Sequence, residues 1–234
     1  MRKNTLIGRG KLIFNWMPND IDNVLEVGCA SGEYISYYSE RCKKIFGIDP
    51  NEDLIKKAKL DYPKIDFRIG SAENIPFKDK IFDVVILGDV LEHVNNEAKS
   101  LNEIYRVLKS EGILILTVPH KGLFSFMDVD NYSWYYRKLF MIETKKPGYE
   151  NKHKHYSLKD LENLFLNKFE ILNIYRSSLF LIPFVLNLRL LIRNIFGEKI
   201  DNIIRPYSNK LIDIDFFISY GRLSYSIGIK AKKI

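Results

Sequence analysis

Short, strongly apolar runs alternate with longer segments of helical period through the first half of the chain. This alternation predicts strands joined by crossover helices, and therefore an α/β fold with a mostly parallel sheet covered by helices. The predicted strands of this half are residues 23–28, 44–48, 66–69, 82–87 and 112–118. The predicted helices are residues 30–40, 52–60 and 97–108. Gly112 is expected to separate the last of these helices from the strand that follows.

Two further strands are expected in the second half of the chain. Ser157 is predicted to cap a helix over residues 157–167, with Asp160 in its first turn. The alternating pattern over residues 169–175 predicts a sixth strand, and residues 223–231 are expected to form the seventh. The segments with no place in this pattern, which we interpret as insertions, are residues 120–156 and 177–215.

The length of 234 residues lies in the range where one α/β unit folds as a single domain. A composition of 46% hydrophobic and 28% charged residues supplies a core and excludes a disordered or collagen-like chain. We therefore predict one domain over residues 1–234, with a ligand-binding core over residues 20–119 and the two insertions as its cap.

Several features favour a reducing, cytoplasmic location. The chain has only two cysteines, Cys29 and Cys42, and its first ten residues lack the apolar stretch of a secretory signal. The longest apolar run, residues 179–186, contains Pro183 and ends well short of the roughly 18 residues that span a bilayer. We therefore do not expect an integral membrane protein.

The charges are unevenly distributed along the chain. Residues 1–118 carry 17 Lys and Arg against 18 Asp and Glu, whereas residues 119–234 carry 19 against 11. The net charge of +8 on the second half favours an anionic partner, such as an acidic substrate, a nucleic acid or an anionic membrane surface. Because the basic residues are scattered, an ordinary solvated surface is an equal alternative.

The strongest chemical signal is the segment VLEVGCASGEY, residues 24–34. It places Glu26, Gly28 and Gly32 at the carboxyl end of the first strand, where small residues let the backbone approach a ligand closely. Asp49 ends the second strand 21 residues after Gly28. An acidic residue at this spacing can accept hydrogen bonds from the ribose hydroxyls of an adenosine-containing cofactor. The two features together predict a ligand of this kind.

A nicotinamide or flavin dinucleotide is the main rival ligand. Its G-x-G-x-x-G fingerprint places a glycine beside the pyrophosphate, whereas this chain has Ala30 at that position. The carboxylate of Glu26 would also repel a pyrophosphate so close to the loop. The electrostatics therefore favour a cationic ligand.

Four blocks of sequence carry a resemblance to a known family, namely residues 24–34, 46–59, 70–94 and 104–122. In order and spacing they resemble the class I S-adenosylmethionine-dependent methyltransferases, of the broad group that includes the ubiquinone and menaquinone biosynthesis methyltransferases. The resemblance implies a Rossmann-like, doubly wound sheet of seven strands with helices on both faces. It also implies S-adenosyl-L-methionine as the cofactor and a substrate cap formed by the two insertions.

The resemblance further implies which residues contact the cofactor. Asp49 matches the ribose acceptor, and Glu26 matches the part of the loop that borders the methionine portion. Ser71 departs from the family, which often has an aspartate against the adenine at this position, so adenine recognition is expected to use backbone groups. The predicted cofactor-binding residues are Glu26, Gly28, Cys29, Ala30, Gly32, Asp49, Pro50, Asn51, Ser71, Ala72, Glu73, Gly88, Asp89 and Val90.

Methyl transfer from a sulfonium needs a base only for some acceptors, such as a hydroxyl that must lose its proton. Histidines on the expected substrate side are therefore the catalytic candidates. They are His120, which follows the fifth strand, His93, which follows the fourth, and His155, which precedes Ser157. Each has an alternative role as a structural histidine held by hydrogen bonds. No set of metal ligands is predicted.

The acceptor is expected to be a small molecule, and the basic second half favours an anionic, lipid-linked or glycan-type compound. Arg189 and Arg193 share one face of a predicted amphipathic helix, which would either cover the active site or contact an anionic membrane. Two alternatives stay open: a nucleic-acid or protein methyltransferase, and a cofactor-binding scaffold without catalysis. Nucleic acid is disfavoured because GDVLEHV, and not an Asn/Asp-Pro-Pro-aromatic signature, follows the fourth strand. The sequence leaves the oligomeric state open.

Overall fold

The computed structural model describes residues 6, 8–128, 131, 153–179 and 181–234, so most of the first insertion lies outside the described part. The strands are β1 (Ile21–Val27), β2 (Cys42–Asp49), β3 (Asp66–Ile69), β4 (Phe82–Gly88), β5 (Leu108–Pro119), β6 (Phe169–Ser177) and β7 (Ser226–Lys233). The helices are α1 (Arg9–Trp16), α2 (Ile35–Tyr38), α3 (Glu52–Asp61), α4 (Glu97–Val107), α5 (Leu158–Phe165), α6 (Leu181–Phe196) and α7 (Glu198–Phe216).

Within the described residues, these seven strands form one sheet in the order β3-β2-β1-β4-β5-β7-β6. The pairs among β1 to β5 are parallel, and β7 pairs antiparallel with both β5 and β6. The predicted doubly wound, mostly parallel α/β sheet is therefore confirmed. The direction of strand order reverses between β1 and β4, which opens a crevice outside their carboxyl ends, where ligands of such sheets bind.

Side chains alternate along the central strands and divide the core into two layers. Leu25, Val85 and Leu114 stand side by side in β1, β4 and β5 and pack on one face, together with side chains of α4 and α5. Val24 and Val84, one residue earlier, pack on the other face with α1 and α3. Because both faces are covered, these strands are apolar at nearly every position.

The helix predicted over residues 30–40 is much shorter in the structure. It is confined to α2 and a 3-10 turn at Ser39–Arg41. Ala30 and Gly32 have φ angles of 46° and 77°, which are incompatible with a right-handed helix. The prediction was wrong here because a loop after β1 occupies the residues that helical periodicity assigned to the first turns.

The boundary between α4 and β5 also differs from the prediction. β5 begins at Leu108, directly after α4, so Gly112 lies inside the strand and does not separate it from the helix. The register between β4 and β5 is interrupted, since Phe82 pairs with Leu108 and Val84 with Ile113. This bulge absorbs the extra residues at the start of β5.

The second half follows the predicted order of elements. Ser157 caps α5 through a reciprocal pair of hydrogen bonds with Asp160, as expected. The second insertion forms α6 and α7, which pack against each other. Arg189 of α6 lies 2.8 Å from Asp201 of α7 (Nε to Oδ1), and Arg193 lies 3.8 Å from Glu198, so both predicted surface cations are ion-paired within the hairpin. In the described part of the chain, no helix is both long and apolar enough to cross a membrane.

Candidate cofactor and acceptor site

The loop between β1 and α2 is held against the end of β2. The backbone N–H groups of Gly28 and Cys29 both donate to the carbonyl of Ile48, at 2.8 and 3.0 Å. Gly28 has a φ of 73°, and a Cβ atom built on it would lie 2.3 Å from Cγ2 of Val90, in the segment after β4. The sequence therefore needs a glycine here for its backbone angle and for the close approach of two chain segments.

Asp49 connects this loop to the next one. Its Oδ2 accepts a hydrogen bond from the backbone N–H of Ala30 at 3.0 Å, and its Oδ1 accepts one from Asn51 at 2.9 Å. The side chain of Asn51 in turn caps α3, and Pro50 lies exposed between the two residues. Each carboxylate oxygen of Asp49 can accept a second hydrogen bond, so the group can still receive two hydroxyl donors.

Glu26 is a buried carboxyl group near the end of β1. Its Oε2 is inaccessible and has no hydrogen-bond partner among the described residues. Burial raises the pKa of Glu26 from 4.5 to about 8, and the nearby charge of Arg9 opposes the shift only in part. A protonated acid beside this loop can lose its proton when a cationic ligand binds, and the resulting carboxylate then neutralises the charge of that ligand.

The segment after β4 completes this side of the site. Asp89 adopts a φ of 53° and accepts a hydrogen bond from the hydroxyl of Thr117 at 2.8 Å. It also forms an ion pair with Arg9 of α1. Gly88 ends β4, and the side chain of Val90 is partly buried against the core. Val90 contacts the loop after β1 at Gly28, and the contact of Gly88, Asp89 and Val90 with the cofactor stays a prediction.

Arg9 was missed by the sequence analysis. It precedes the first recognisable block, and nothing in its local pattern distinguishes it from other basic residues. Arg9 reaches Asp89 only because α1 packs on one face of the sheet. The same packing brings its charge close enough to lower the pKa of Glu26.

The predicted adenine-side residues lie in a tight turn after β3. The backbone groups of Ser71 and Asn74 hydrogen-bond to each other across this turn, and Ala72 is buried between them. Oε1 of Glu73 accepts a hydrogen bond from the backbone N–H of Asn96, which lies at the start of α4. Glu73 thereby fixes the turn against α4, and its contact with cofactor stays a prediction.

The crowding at Gly28 leads to a testable prediction. Substitution Gly28→Ala is expected to lower the free energy of unfolding by about 2 to 4 kcal/mol, because it adds a left-handed strain and a collision with Val90. The double variant Gly28→Ala/Val90→Ala should recover part of the loss, because only the collision is relieved. Gly197→Ala is the matched control, since Gly197 has a φ of 82° with nothing within 4 Å of its added Cβ.

Denaturant unfolding monitored by circular dichroism would measure these differences. A Gly28→Ala variant no less stable than Gly197→Ala would contradict the proposed steric contact. Equal free energies of unfolding for Gly28→Ala and Gly28→Ala/Val90→Ala would show that backbone strain alone causes the loss of stability.

A cluster of buried ionisable groups lies beyond β4 and β5, on the side where the acceptor is expected. Nδ1 of His153 lies 2.6 Å from Oδ2 of Asp128, and Nε2 of His155 lies 3.1 Å from the same oxygen. The rings of His93 and His153 are 4.6 Å apart between centroids. Glu92 lies on the other side of His153, with Oε1 3.6 Å from its Nε2.

These neighbours set the protonation of the cluster. Burial disfavours the charged form of His153, but the hydrogen bond with Asp128 and the nearby carboxylate of Glu92 prevail and raise its pKa to about 10. Burial likewise opposes ionisation of Asp128, yet the bonds from His153 and His155 hold the pKa of Asp128 below its ordinary value. Without another cation, the cluster therefore carries a protonated His153 between carboxyl groups.

Tyr156 explains how this cluster is assembled. Its backbone pairs with the end of β5, donating to Pro119 and accepting from Lys121. Its hydroxyl donates to the carbonyl of Leu91 at 3.0 Å and lies 2.7 Å from Oε1 of Glu97. The residues just before Tyr156 are thus held beside the turn at 91–93, which carries Glu92 and His93.

His120 is buried at the end of β5. Its Nδ1 lies 2.9 Å from the carbonyl oxygen of Ser224, to which it can donate only in the tautomer that carries hydrogen on Nδ1. Burial is the main cause that lowers the pKa of His120. A neutral ring of this tautomer keeps Nε2 as a proton acceptor, so its role as a base stays a prediction.

The structure therefore groups two of the three predicted histidines, His93 and His155, around His153, whereas the ring of His120 is held against Ser224. His153 is not among the catalytic residues predicted from the sequence, although it occurs with His155 in the motif HKHY. The signal that could have found it is the alternation of His153 and His155, which puts two histidines one strand period apart ahead of Tyr156.

Known proteins with similar sequences identify this arrangement. A family model described as a methyltransferase domain matches residues 25–116, which include the loops after β1, β2 and β4. A probable S-adenosylmethionine-dependent methyltransferase of Mycolicibacterium smegmatis is 30% identical over 103 residues, covering 44% of this chain and 40% of that protein. Residues 25–116 form a methyltransferase domain of the S-adenosylmethionine-dependent kind. The family resemblance stated from the four sequence blocks is confirmed.

Two other relatives define the extent of the likeness to this methyltransferase. An uncharacterized protein of Methanocaldococcus jannaschii is 32% identical over 191 residues, which cover 82% of the chain and 72% of that protein. A ubiquinone/menaquinone biosynthesis C-methyltransferase of Campylobacter jejuni is 29% identical over 111 residues, 43% of the chain and 47% of its own length. The chain thus spans less than half the length of the two relatives that are named as methyltransferases.

The fold of the methyltransferase recurs in solved structures. The crystal structure of an S-adenosylmethionine-dependent methyltransferase from Thermotoga maritima superposes with a TM-score of 0.60. The two share 18% sequence identity, and the match covers 97% of this chain and 88% of the other. At this identity the likeness concerns the fold alone.

Proposed function

We propose that this methyltransferase transfers the methyl group of S-adenosyl-L-methionine to a small-molecule acceptor by in-line displacement. The observation that carries the proposal is the intact loop after β1, with a buried Glu26 whose Oε2 lacks a partner among the described residues. Bound there, the cofactor supplies a methyl group already activated by a positively charged sulfur. The chain's own task is therefore to bind, orient and exclude water.

The residues around the loop fit this cofactor. Glu26 supplies the negative charge for its cationic methionine portion, and Gly28 leaves the backbone free to approach it. Asp49 keeps an acceptor site on each oxygen for the ribose hydroxyls. Both backbone groups of Ser71 pair with Asn74, so adenine recognition at this turn is proposed to use other backbone groups, such as those of Ala72.

The acceptor is proposed to lie over the carboxyl ends of β4 and β5. This edge carries the buried polar cluster of His93, Asp128, His153 and His155, and His120 lies at the end of β5. His155 and His120 are the proposed bases for a hydroxyl acceptor. On this edge His155 has its partner Asp128, and His120 has its second ring nitrogen, Nε2. A carboxylate or ionised phenol would need neither.

Transfer of a labelled methyl group into an extract of the source cells tests the proposal. The extract would be partitioned into organic, aqueous small-molecule and macromolecular fractions after incubation with labelled S-adenosylmethionine. We expect label in the organic or small-molecule fraction, and its loss with Asp49→Ala. The variant Asp53→Ala removes an exposed carboxylate of α3 and should leave the labelling unchanged.

Other outcomes select the alternatives. Label in nucleic acid or protein would replace the small-molecule proposal by the macromolecular one. Cofactor binding without label in any fraction would favour a binding scaffold. Absence of cofactor binding would contradict the proposal as a whole.

We also propose that the methyltransferase is a cytoplasmic protein that contacts an anionic membrane surface through α6 and α7. Both helices carry an exposed apolar stripe at helical spacing, formed by Phe184, Leu188, Leu191 and Ile195 on α6 and by Ile203, Tyr207, Leu211 and Ile214 on α7. The exposed cations Lys199 and Lys210 accompany the stripes, together with Arg193, which pairs with Glu198. Apolar side chains flanked by cations are typical of helices that lie in a bilayer interface.

Vesicle co-sedimentation tests the membrane contact. We expect binding to vesicles that contain phosphatidylserine, weaker binding to phosphatidylcholine alone, and a loss with added salt. The double variant Leu191→Ser/Ile195→Ser should lose most of the binding. Leu60→Ser is the matched control, because Leu60 is an exposed leucine on α3, far from the stripes in sequence.

Two results would contradict the contact. Equal binding of the double variant and the wild type would exclude the stripe as the contact surface. A stable dimer in sedimentation velocity that the double variant abolishes would assign the stripes to a second copy of the chain.

A further inference from the structure

Glu92, His93 and His153 form a buried group of donor atoms that methyl transfer, as proposed above, does not use. One donor atom from each residue lies within 4.8 Å of the other two. Both carboxylate oxygens of Glu92 are inaccessible, and neither has a hydrogen-bond partner among the described residues. A fully buried carboxyl group without hydrogen bonds is costly, so its position indicates that a ligand completes its surroundings.

We propose that Glu92, His93 and His153 bind one divalent transition-metal cation, with Zn²⁺ or Co²⁺ as the best-matched ions. Two imidazole nitrogens and one carboxylate oxygen form a donor set that suits these ions. Open positions then remain on the cation for water or a further ligand. The donor set joins the turn after β4 to the segment that enters α5, so the cation would bind the two together.

Asp128 prepares His153 for this role. It accepts the hydrogen bond from Nδ1 of His153 at 2.6 Å, which directs Nε2 toward Glu92. Nε2 of His153 is itself inaccessible and has no hydrogen-bond partner in the described part of the chain. A carboxylate behind a histidine ring in this way fixes the tautomer and orientation of a metal ligand.

The spacing of the donors is close to that of a bound site. Ligand atoms at about 2.1 Å from a cation lie at most about 4.2 Å from one another. The present separation of up to 4.8 Å needs only a small inward rotation of the side chains. His153 would release its proton, so the cation and the proton are alternative occupants of this group.

The location gives the cation a specific use. Glu92 follows Val90 by two residues, and Val90 contacts the cofactor loop at Gly28. An open position on the cation would therefore hold an oxygen atom of the acceptor beside the cofactor. This step rests on the proposed function, whereas binding of the cation itself does not.

Titration of the metal-free full-length protein with Co²⁺ tests the site, because visible absorption reports nitrogen and oxygen ligands. We expect one Co²⁺ per chain, displaced by Zn²⁺, and at least about a 100-fold loss of affinity in Glu92→Gln and in His153→Gln. His120→Gln is the matched control, since His120 is a buried histidine outside the donor set. Circular dichroism would verify that each variant is folded.

Several results would overturn the site. One is that the wild type binds no saturable equivalent of Co²⁺. Another is that Glu92→Gln and His153→Gln bind Co²⁺ with the affinity of the wild type. Nitrogen-edited NMR showing His153 protonated on both nitrogens in the presence of Zn²⁺ would likewise assign the group to the proton. Methyl transfer that persists unchanged in a chelator would contradict only the use of the cation, and cation binding without methyl transfer would contradict only the proposed function.

Discussion

Replacing Asp49 with alanine is expected to weaken S-adenosylmethionine binding by at least about 100-fold. Two hydrogen bonds from ribose hydroxyls to a carboxylate contribute about 1.5 to 3 kcal/mol each, and both would be lost. The substitution also removes the acceptor for the backbone N–H groups of Ala30 and Asn51, which hold two loops in place. Isothermal titration calorimetry with the cofactor would measure the change.

Two variants separate the ribose contact from the loss of charge. Asp53→Ala removes the same charge four residues later, from an exposed position on α3, and should bind the cofactor with wild-type affinity. Asp49→Asn keeps the shape but turns one acceptor into a donor, which faces a backbone N–H. It should therefore lose most of the affinity as well. An affinity within threefold of wild type for Asp49→Ala would contradict the assignment of this edge as the ribose site.

The parts of the site that could be predicted from the sequence are those formed by short segments of consecutive residues. Gly28 and Gly32 are required by local backbone angles, and Asp49 by its place at the end of the next strand. Parallel strands bring such loops to one edge whatever the details of packing, so the alternation of strands and helices was enough to predict their meeting.

The missing parts depend on contacts between distant segments. Arg9 reaches Asp89 only because α1 packs beneath the sheet, and His153 reaches Glu92 only because Tyr156 pairs with the end of β5. Neither contact has a signature in a short stretch of sequence. The helix over residues 30–40 was overestimated for the opposite reason, since a functional loop replaced the structure that local periodicity favours.

For Glu26, the sequence predicted only the sign of the charge on the ligand that it would bind. Its position in the strand before the glycine-containing loop suggested a cationic ligand, but the sequence could not show that the group is buried and that its Oε2 lacks a hydrogen-bond partner among the described residues. Burial is what turns an ordinary acidic residue into one that is mostly protonated at neutral pH, and it makes both stability and binding depend on pH.

Binding of S-adenosylmethionine is expected to release close to one proton at pH 7, and Glu26→Gln should abolish the release. The folded protein without cofactor has the pKa of Glu26 raised to about 8, so the group is mostly protonated at pH 7. The cationic methionine portion favours the ionised form, and affinity should therefore rise by up to about tenfold per pH unit as the pH approaches 8. Calorimetric titrations in two buffers of different ionisation enthalpy would measure the released proton.

Glu26 should also make the stability of the cofactor-free protein depend on pH, and stability should fall with rising pH whereas cofactor affinity rises. The unfolded chain loses the proton of Glu26 near pH 4.5, whereas the folded, cofactor-free chain keeps it until about pH 8. Between these values the folded state binds more protons, so its free energy of unfolding should fall by about 1.4 kcal/mol per pH unit relative to Glu26→Gln, and level off above pH 8. The variant should thus be more stable than wild type at pH 8 while binding the cofactor less tightly.

Glu40→Gln is the matched control, because Glu40 is an exposed glutamate in the 3-10 turn after α2. It should keep both the proton release and the pH dependence of the wild type. Parallel stability profiles for wild type and Glu26→Gln between pH 5 and 8 would show that Glu26 is ionised in the folded protein. The carboxylate would then have to be neutralised by a partner other than the cofactor, with Arg9 as the cation that already lowers the pKa of Glu26.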